Sequence, residues 1–193
     1  GGLADREKTD LENYLKRVDR EVCSLLHDRG DSPLVLAGVE SLTSMYRSVT
    51  QYNATLDETI TGNIDHLGED ELRQRVLPIV DAEYARSRDR ITTLIREHDC
   101  PVATNQEQIL VAAAAGNIDT LLFDKATDLF GIFDANRGVL KELHRAPSGA
   151  PGDASHDLIE LAAVQTLKTG GTVYAVTADE MPVKKPMAAA LRF

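Results

Sequence analysis

Two short segments of the sequence carry side-chain types that catalysis or metal binding requires. His98-Asp99-Cys100 sets a base, an acid and a thiol side by side, the groups that a Cys/His nucleophile would need. Adjacent residues rarely aim at one another, however, and catalytic pairs are usually distant in sequence. We therefore predict no catalytic role for this triplet.

Asp65-His66 together with Glu69 suggests metal or acid/base chemistry. Their spacing matches no zinc pattern, and a helix start rich in acids explains the group more simply. A phosphate-binding glycine loop should precede a helix, whereas Gly170-Gly171 follows one. The sequence thus predicts neither a metal site nor a cofactor.

Lys184-Lys185, in a loop flanked by Pro182 and Pro186, are predicted to form a small basic contact. Five arginines share one predicted helix with many acids, which indicates a solvated, salt-bridged face; they are Arg73, Arg75, Arg86, Arg88 and Arg90. The formal net charge of −10 argues against naked nucleic acid as the main ligand, because phosphate binding needs a basic stripe.

The first half of the chain is predicted to be mostly helical. Helices are expected over residues 5–27, 41–50 and 69–97, the last bent near Pro78. The expected apolar face of the first helix consists of Leu11, Leu15, Val18, Val22, Leu25 and Leu26. Residues 34–38 form an apolar run that is typical of a strand buried in a parallel or mixed sheet. The segment between residues 50 and 69 reads as a polar link.

The second half alternates helices and strands. Thr104 and Glu107 have the spacing of a capping box before a helix at 108–115, and residues 120–124 follow as a strand. A hairpin is predicted from 131–134 and 139–143. Residues 155–168 form a helix that stops at Gly170-Gly171, before a strand at 172–177. The closing residues 188–193, including Phe193, are expected to pair into a sheet beside residues 173–176. This order predicts an α/β sandwich.

Three stretches of the second half resemble a known family: residues 109–124, 167–176 and 187–193. They are similar to the "A…G-A-V-x-T-L-L" joint, the "T-G-A/G-x-V" turn and the terminal "A-A-I-L-R-Y" of class-1 release factors from archaea and eukaryotes and of Pelota. The similarity is closest to the bacterial archaeo-eukaryotic release factors. Pro33-Leu-Val-Leu-Ala-Gly38 after a long helix resembles the middle domain of the same proteins.

The resemblance implies an α/β fold in two parts. Residues 1–98 would be a partial ribonuclease-H-like α/β domain with a long connecting helix. Residues 104–193 would be a three-layer α/β sandwich resembling the kink-turn-binding ribosomal-protein fold. The chain has no initiator Met, so we expect it to lack the N-terminal strands of the first domain. Its exposed apolar surface would then need a cover, for which a second copy of the chain is one option.

The resemblance also bears on catalysis. If Gly1 and Gly2 stand where the family has Gly-Gly-Gln, then Leu3 replaces the glutamine that positions the attacking water. Leucine has no hydrogen-bonding side chain and cannot do this. The alternative is that Gly1 and Gly2 are engineered residues or the irregular end of a loop. Under either interpretation the chain shows no hydrolytic glutamine, and we expect no catalytic residues.

The resulting functional expectation is a cytoplasmic, release-factor-like protein that acts at the ribosome without hydrolysing peptidyl-tRNA. By resemblance, its partners would be the ribosome or a translational GTPase-like protein. Two alternatives stay open: a protein-binding scaffold or inhibitor unrelated to the ribosome, and an enzyme whose chemistry lies in a preceding segment. No apolar run is long enough to span a membrane.

Overall fold

The computed structural model of the chain describes residues 2–27, 32–144 and 156–192. They fall into two compact units, Gly1–Arg86 and Ser87–Phe193. The mixed α/β class predicted from the sequence is confirmed. The sequence placed the division near residues 99–103, and the separation into domains 1–98 and 104–193 stays a prediction.

The first unit contains two complete helices, two strands and most of a third helix. The elements are α1 (Gly2–Leu26), β1 (Leu34–Gly38), α2 (Glu40–Val49), β2 (Thr55–Thr61) and α3 (Glu69–Glu97). All three helices and β1 were predicted, and α3 has the predicted bounds. β1 and β2 form a two-stranded parallel sheet. The sequence predicted β1 as a strand buried in a parallel or mixed sheet; its pairing is parallel, but all five of its residues are only half-buried. Its partner β2 was wrongly interpreted as a polar link.

The buried face of α1 differs from the predicted one at two positions. Leu25 was placed on the apolar face but is 74% exposed. Asp19 was assigned to the charged face, yet it is only 3% exposed, alongside the buried Leu15. The reason is that Asp19 lies four residues after Leu15, one helical turn along the same stripe. The rule that apolar residues lie inside a protein cannot predict a charged residue that is buried together with its hydrogen-bond donors.

The second unit is built on a four-stranded sheet, here called the central sheet. Its strands are β3 (Val102–Ala103), β4 (Ile118–Asp124), β8 (Thr172–Val176) and β9 (Met187–Leu191), in the order β3-β9-β4-β8. β4 runs parallel to β8 and antiparallel to β9. Of the closing residues 188–193, residues 188–191 join a sheet as predicted, whereas Arg192 follows the end of the strand. The predicted neighbour was wrong, because β4 lies between β9 and β8, and Phe193 lies outside the described residues.

A smaller sheet of three strands has the order β6-β5-β7. The predicted hairpin is confirmed as β5 (Phe130–Asp134) and β6 (Val139–His144), and β7 (His156–Asp157) adds a short third strand. Helix α5 (Leu158–Lys168) therefore begins later than predicted. Asp157 is its N-cap, since its side chain accepts hydrogen bonds from the backbone N–H groups of Ile159 and Glu160.

Helix α4 (Gln106–Ala114) is capped by a residue other than the predicted one. The Oδ1 of Asn105 accepts from the N–H groups of Glu107 and Gln108, at 2.9 and 3.4 Å. The capping box of Thr104 and Glu107 was wrong. The Glu107 carboxylate instead accepts from the N–H of Leu140 at 3.3 Å, which links the helix to the β5–β6 hairpin.

Two apolar clusters cover the two faces of the central sheet. On one face, α4 and α5 pack against Leu121 and Ala189. On the other, Ile91 and Ile95 of α3 pack against Leu122 and neighbouring residues of β9. Adjacent strand residues point to opposite faces, so the consecutive residues Leu121 and Leu122 of β4 contribute to one cluster each. The second unit thus has helices on both sides of a sheet.

Candidate functional site

The loops at one edge of the central sheet bring the predicted lysines to a pocket. β4 and β8 are parallel, so their carboxyl ends meet at the same edge, where β9 begins. Two backbone hydrogen bonds hold the loops there: Asp124 N–H to the Pro186 carbonyl at 3.0 Å, and Lys125 N–H to the Val176 carbonyl at 2.9 Å. In open α/β sheets, ligands bind at the carboxyl ends of strands.

The pocket at this edge has a volume of about 310 Å³ and is open to solvent. We call it the carboxyl-edge pocket; it is lined by Asp124, Thr127, Ala178, Met181, Val183, Lys184, Lys185 and Pro186. Lys184 and Lys185 are exposed at its rim, whereas Met181 is buried. The site therefore combines an apolar floor with two cationic side chains.

Two carboxylates of this edge, Asp124 and Glu180, accept hydrogen bonds from within the protein. Asp124 accepts from the N–H of Ala126 at 3.0 Å and from the hydroxyl of Thr127 at 2.7 Å. These two hydrogen bonds, the Ala126 N–H first, lower the pKa of Asp124 below its ordinary value. Glu180 accepts from the N–H and hydroxyl of Thr177, which likewise lower its pKa.

Glu180 also forms an ion pair with Arg88, at 3.3 Å. The two lysines at the rim differ from these carboxylates. Within the part of the chain that the structure describes, however, neither Lys184 nor Lys185 forms an ion pair. The pocket thus offers two uncommitted ammonium groups and no uncommitted carboxylate. The sequence identified the lysines, but Asp124 and Thr127 were missed; an Asp-x-x-Thr turn after a buried strand is the signal that marks them.

The residues weighed for catalysis lie in separate structural settings. Gly1 lies outside the described residues, and Gly2 and Leu3 are the first residues of α1. His98 directly follows α3, with its Nδ1 at 3.3 Å from the Arg96 carbonyl oxygen. Burial and then the nearby Asp99 carboxylate raise the pKa of the Cys100 thiol. A raised pKa disfavours the thiolate, the nucleophilic form.

The described residues contain no group of three or more His, Cys, Asp or Glu side chains that could hold a metal ion. Asp65, considered above, has its N–H bound by the Asn63 side chain at 3.0 Å, a local turn contact. Both cysteines, Cys23 and Cys100, are free thiols. None of the described helices combines the length and apolar character that crossing a bilayer requires.

The salt-bridged face predicted for the long helix is confirmed at three of its arginines. Arg75 pairs with Glu71 at 2.8 Å, and Arg86 pairs with Glu83 at 3.1 Å. Arg88 pairs with Asp89 at 3.6 Å as well as with Glu180. These arginines are committed to carboxylates of the same chain, so they add little free positive charge to its surface.

A buried polar network in the first unit was not predicted. The Asp19 carboxylate accepts from the Thr50 hydroxyl at 2.6 Å, the Tyr46 hydroxyl at 2.9 Å and the Gln51 N–H at 2.9 Å. Burial opposes ionisation of Asp19, but these bonds and one from Cys23 outweigh it, and its pKa is lowered. The network joins α1 to α2 and the residues just after α2. Its signal in the sequence is an Asp on an otherwise apolar helical stripe.

The partners of Asp19 are held in their neutral forms. Burial, and then the hydrogen bond to Asp19, raises the pKa of Tyr46 to about 12. Burial and the Asp19 charge also raise the pKa of the Cys23 thiol. A protonated Tyr and Cys donate hydrogen bonds to a charged Asp, which is an arrangement that stabilises the fold rather than one that activates a nucleophile.

Fold and pocket together define an α/β protein with a small pocket at the edge of a mixed sheet, lined by two lysines that form no ion pair among the described residues. The sequence model of the bacterial archaeo-eukaryotic release factor family 3 matches residues 1–117. This is more than half of the 193 residues, and the chain belongs to that family. The resemblance found in the sequence is confirmed. No curated protein sequence matches the chain.

Three solved structures that are similar to the chain come from archaea. The C-terminal domain of a peptide chain release factor from Methanosarcina mazei is 16% identical, with a TM-score of 0.43 over 66% of this chain and 97% of that one. Archaeal Pelota, in a model of its ribosome-bound state with ABCE1, is 15% identical, with a TM-score of 0.49 over 94% of this chain and 49% of that one. Pelota of Archaeoglobus fulgidus is 19% identical, with a TM-score of 0.34 over 91% of this chain. The chain spans about half the length of the two Pelota chains.

Proposed function

We propose that this protein acts at the ribosome, in translation termination, in rescue or in their modulation, as a binding factor that does not hydrolyse peptidyl-tRNA. The observation that carries the proposal is the match of residues 1–117 to a release factor family. Its partners would be the ribosome itself or a translational GTPase-like protein.

The absence of hydrolysis is proposed from the residue at position 3. If Gly1 and Gly2 stand where the family has Gly-Gly-Gln, Leu3 replaces the glutamine that orients the attacking water. Gly2 and Leu3 also belong to the first turn of α1 rather than to a loop. A factor without the hydrolytic glutamine would bind the ribosome and act through partner proteins.

Two experiments test this function. The complete natural protein should sediment with ribosomes or a ribosomal subunit through a sucrose gradient, and persistent recovery at the top of the gradient would remove the ribosomal role. Added to ribosomes loaded with peptidyl-tRNA, it should release no peptide. The variant Leu3→Gln should be equally inactive because residue 3 is helical, and efficient release by either protein would contradict the non-catalytic assignment.

A protein-binding scaffold or inhibitor unrelated to the ribosome is the second candidate. The formal net charge of −10 favours it, because an acidic chain is repelled by ribosomal RNA. The same sedimentation experiment separates the two. The scaffold is supported if the protein stays out of ribosomal fractions at low salt, where electrostatic attraction to RNA would be strongest.

A further inference from the structure

We propose that the carboxyl-edge pocket binds an acidic peptide segment of a partner protein, with one apolar side chain in the pocket and carboxylates on Lys184 and Lys185. This inference deepens the proposed function, on which it rests, by naming the chemistry of the partner. The residues that carry it lie at positions 124–186, beyond the part matched by the family model.

Charge is the first argument. Asp124 and Glu180 have their oxygens occupied by Ala126, Thr127, Thr177 and Arg88, whereas the lysines have no acidic partner among the described residues. An incoming carboxylate would therefore find donors without displacing an internal partner. Such complementarity at a rim chiefly gives specificity and speed of association.

The apolar floor is the second argument. Ala178, Met181, Val183 and Pro186 line the cavity, whose volume of about 310 Å³ is at the lower end for small-molecule sites. This size suits one anchoring side chain of a peptide better than a large cofactor. Buried apolar anchors ringed by polar contacts are the usual energetic centre of protein interfaces.

The rigidity of the loop is the third argument. Pro182 and Pro186 fix backbone angles on either side of the lysines. Lys185 N–H also donates to the Val183 carbonyl at 2.8 Å, closing a tight turn. A loop ordered before binding loses less entropy when the partner arrives.

Nucleic acid is the less favoured occupant. None of the eight residues that line the pocket is aromatic, so a base has nothing to stack on. The formal charge of −10 would also repel a phosphate backbone approaching the rest of the chain. RNA binding is thus an outcome that the test must be able to detect.

The test uses a short fluorescent peptide of Asp and Glu residues around one central Leu, with binding followed by fluorescence anisotropy. Three comparison probes are the same peptide with Ser in place of Leu, a Lys-based peptide with the Leu, and a single-stranded RNA oligonucleotide. We expect the acidic Leu peptide to bind best, and added salt to weaken it because the rim is exposed.

Two variants probe the two halves of the site. The double variant Lys184→Glu with Lys185→Glu should weaken binding about tenfold or more, since two attractions become repulsions. Its control is Lys8→Glu with Lys16→Glu, which changes the net charge equally at exposed positions of α1. Ala178→Phe, at an exposed lining position, should block the pocket and weaken the peptide to the level of the Ser probe. Thermal unfolding of each variant checks that it is folded.

The proposal is overturned if the acidic Leu peptide does not bind, if both double variants weaken it equally, or if RNA binds more tightly. Sedimentation with ribosomes, measured on the same variants in the complete natural protein, keeps the two proposals apart. Ribosome binding without peptide binding would reject the pocket assignment and leave the ribosomal role. Lysine-dependent peptide binding without ribosome binding would reject the ribosomal role alone.

Discussion

Replacing Asp19 by Ala is the most direct test of what holds the first unit together. Asp19 is 3% exposed and accepts hydrogen bonds from Tyr46, Thr50 and Gln51. A hydrogen bond to a charged group contributes about 1.5–3 kcal/mol, and a buried donor left without its acceptor costs about 1–3 kcal/mol. The magnitude of the effect therefore depends on which of the three donors can reach water in the variant.

Of these three donors, only the Tyr46 hydroxyl would stay out of contact with water in the variant. The Tyr46 side chain is buried, Thr50 is half-buried and Gln51 is exposed, so the last two can exchange Asp19 for water. The unsatisfied tyrosine hydroxyl costs about 1–3 kcal/mol, and each rehydrated donor about 1 kcal/mol. Alanine returns about 0.5 kcal/mol through its better helix propensity. We expect Asp19→Ala to lower the free energy of unfolding by roughly 3 kcal/mol, a large part of a typical total.

Urea unfolding followed by tyrosine fluorescence measures the change in the free energy of unfolding of the first unit. Four of the five tyrosines, Tyr14, Tyr46, Tyr52 and Tyr84, lie in the first unit, and the chain has no tryptophan. The exposed Asp10 of the same helix supplies the matched control, since Asp10→Ala should change stability by less than about 0.5 kcal/mol. If Asp19→Ala costs no more than Asp10→Ala, the network does not stabilise the fold.

A double-mutant cycle with Tyr46→Phe isolates the pairwise term. Removing the Tyr46 hydroxyl from the variant that already lacks the Asp19 carboxylate should cost at least about 1 kcal/mol less than removing it from the natural protein. The pH dependence has a definite sign. Because folding lowers the pKa of Asp19, its stabilisation is present above the unfolded pKa and is lost as pH falls through the folded one. Additive costs, or equal acid sensitivity of the natural protein and the Asp19→Ala variant, would refute the reasoning.

Three further predictions concern local geometry and titration. His98 directly follows α3 with φ +59°, and its N–H donates to the Ile95 carbonyl. His98→Gly should therefore raise the free energy of unfolding by about 1 kcal/mol in urea, because glycine tolerates the left-handed region. A Cβ at Gly171 would lie 2.6 Å from the Thr166 side chain and 2.8 Å from the Ile118 carbonyl oxygen, so Gly171→Ala should cost about 1–3 kcal/mol by the same measurement; a smaller change would show that the strand shifts freely. In an alkaline absorbance titration one tyrosine should ionise near pH 12, and Tyr46→Phe should remove that late phase. The raised pKa of Tyr46 also means that its stabilisation is complete below the unfolded pKa and is lost as pH rises through 12.

The elements that the sequence predicted are those with a strong local period. The long helices α1 and α3, the apolar strand β1 and the β5–β6 hairpin could all be predicted from residues within a single segment. β2 could not, because its sequence includes the charged Asp57 and Glu58, and only pairing with β1 makes it a strand. The two-residue strands β3 and β7 carry no periodic signal at all.

The sites show the same division between local and distant information. Lys184 and Lys185 were identified because prolines flank them in the sequence. Asp124 could not be placed beside them, since that depends on β9 lying next to β4 in the central sheet. The burial of Asp19 similarly depends on donors 27 to 32 residues further along the chain. Contacts across such distances are properties of the fold and are not visible in helical or strand periodicity.

The family match and the carboxyl-edge pocket lie in different parts of the chain, so each supports a different conclusion. Residues 1–117 place the protein among release factor relatives, whereas every residue that lines the pocket comes after position 117. The match therefore supports a role in translation but says nothing about what the pocket binds. Conversely, the acidic peptide is proposed for the pocket from its lysines and apolar lining, without reference to the ribosome. A protein that kept the ribosomal role and lost peptide binding on charge reversal at Lys184 and Lys185 would show two separable surfaces on one chain.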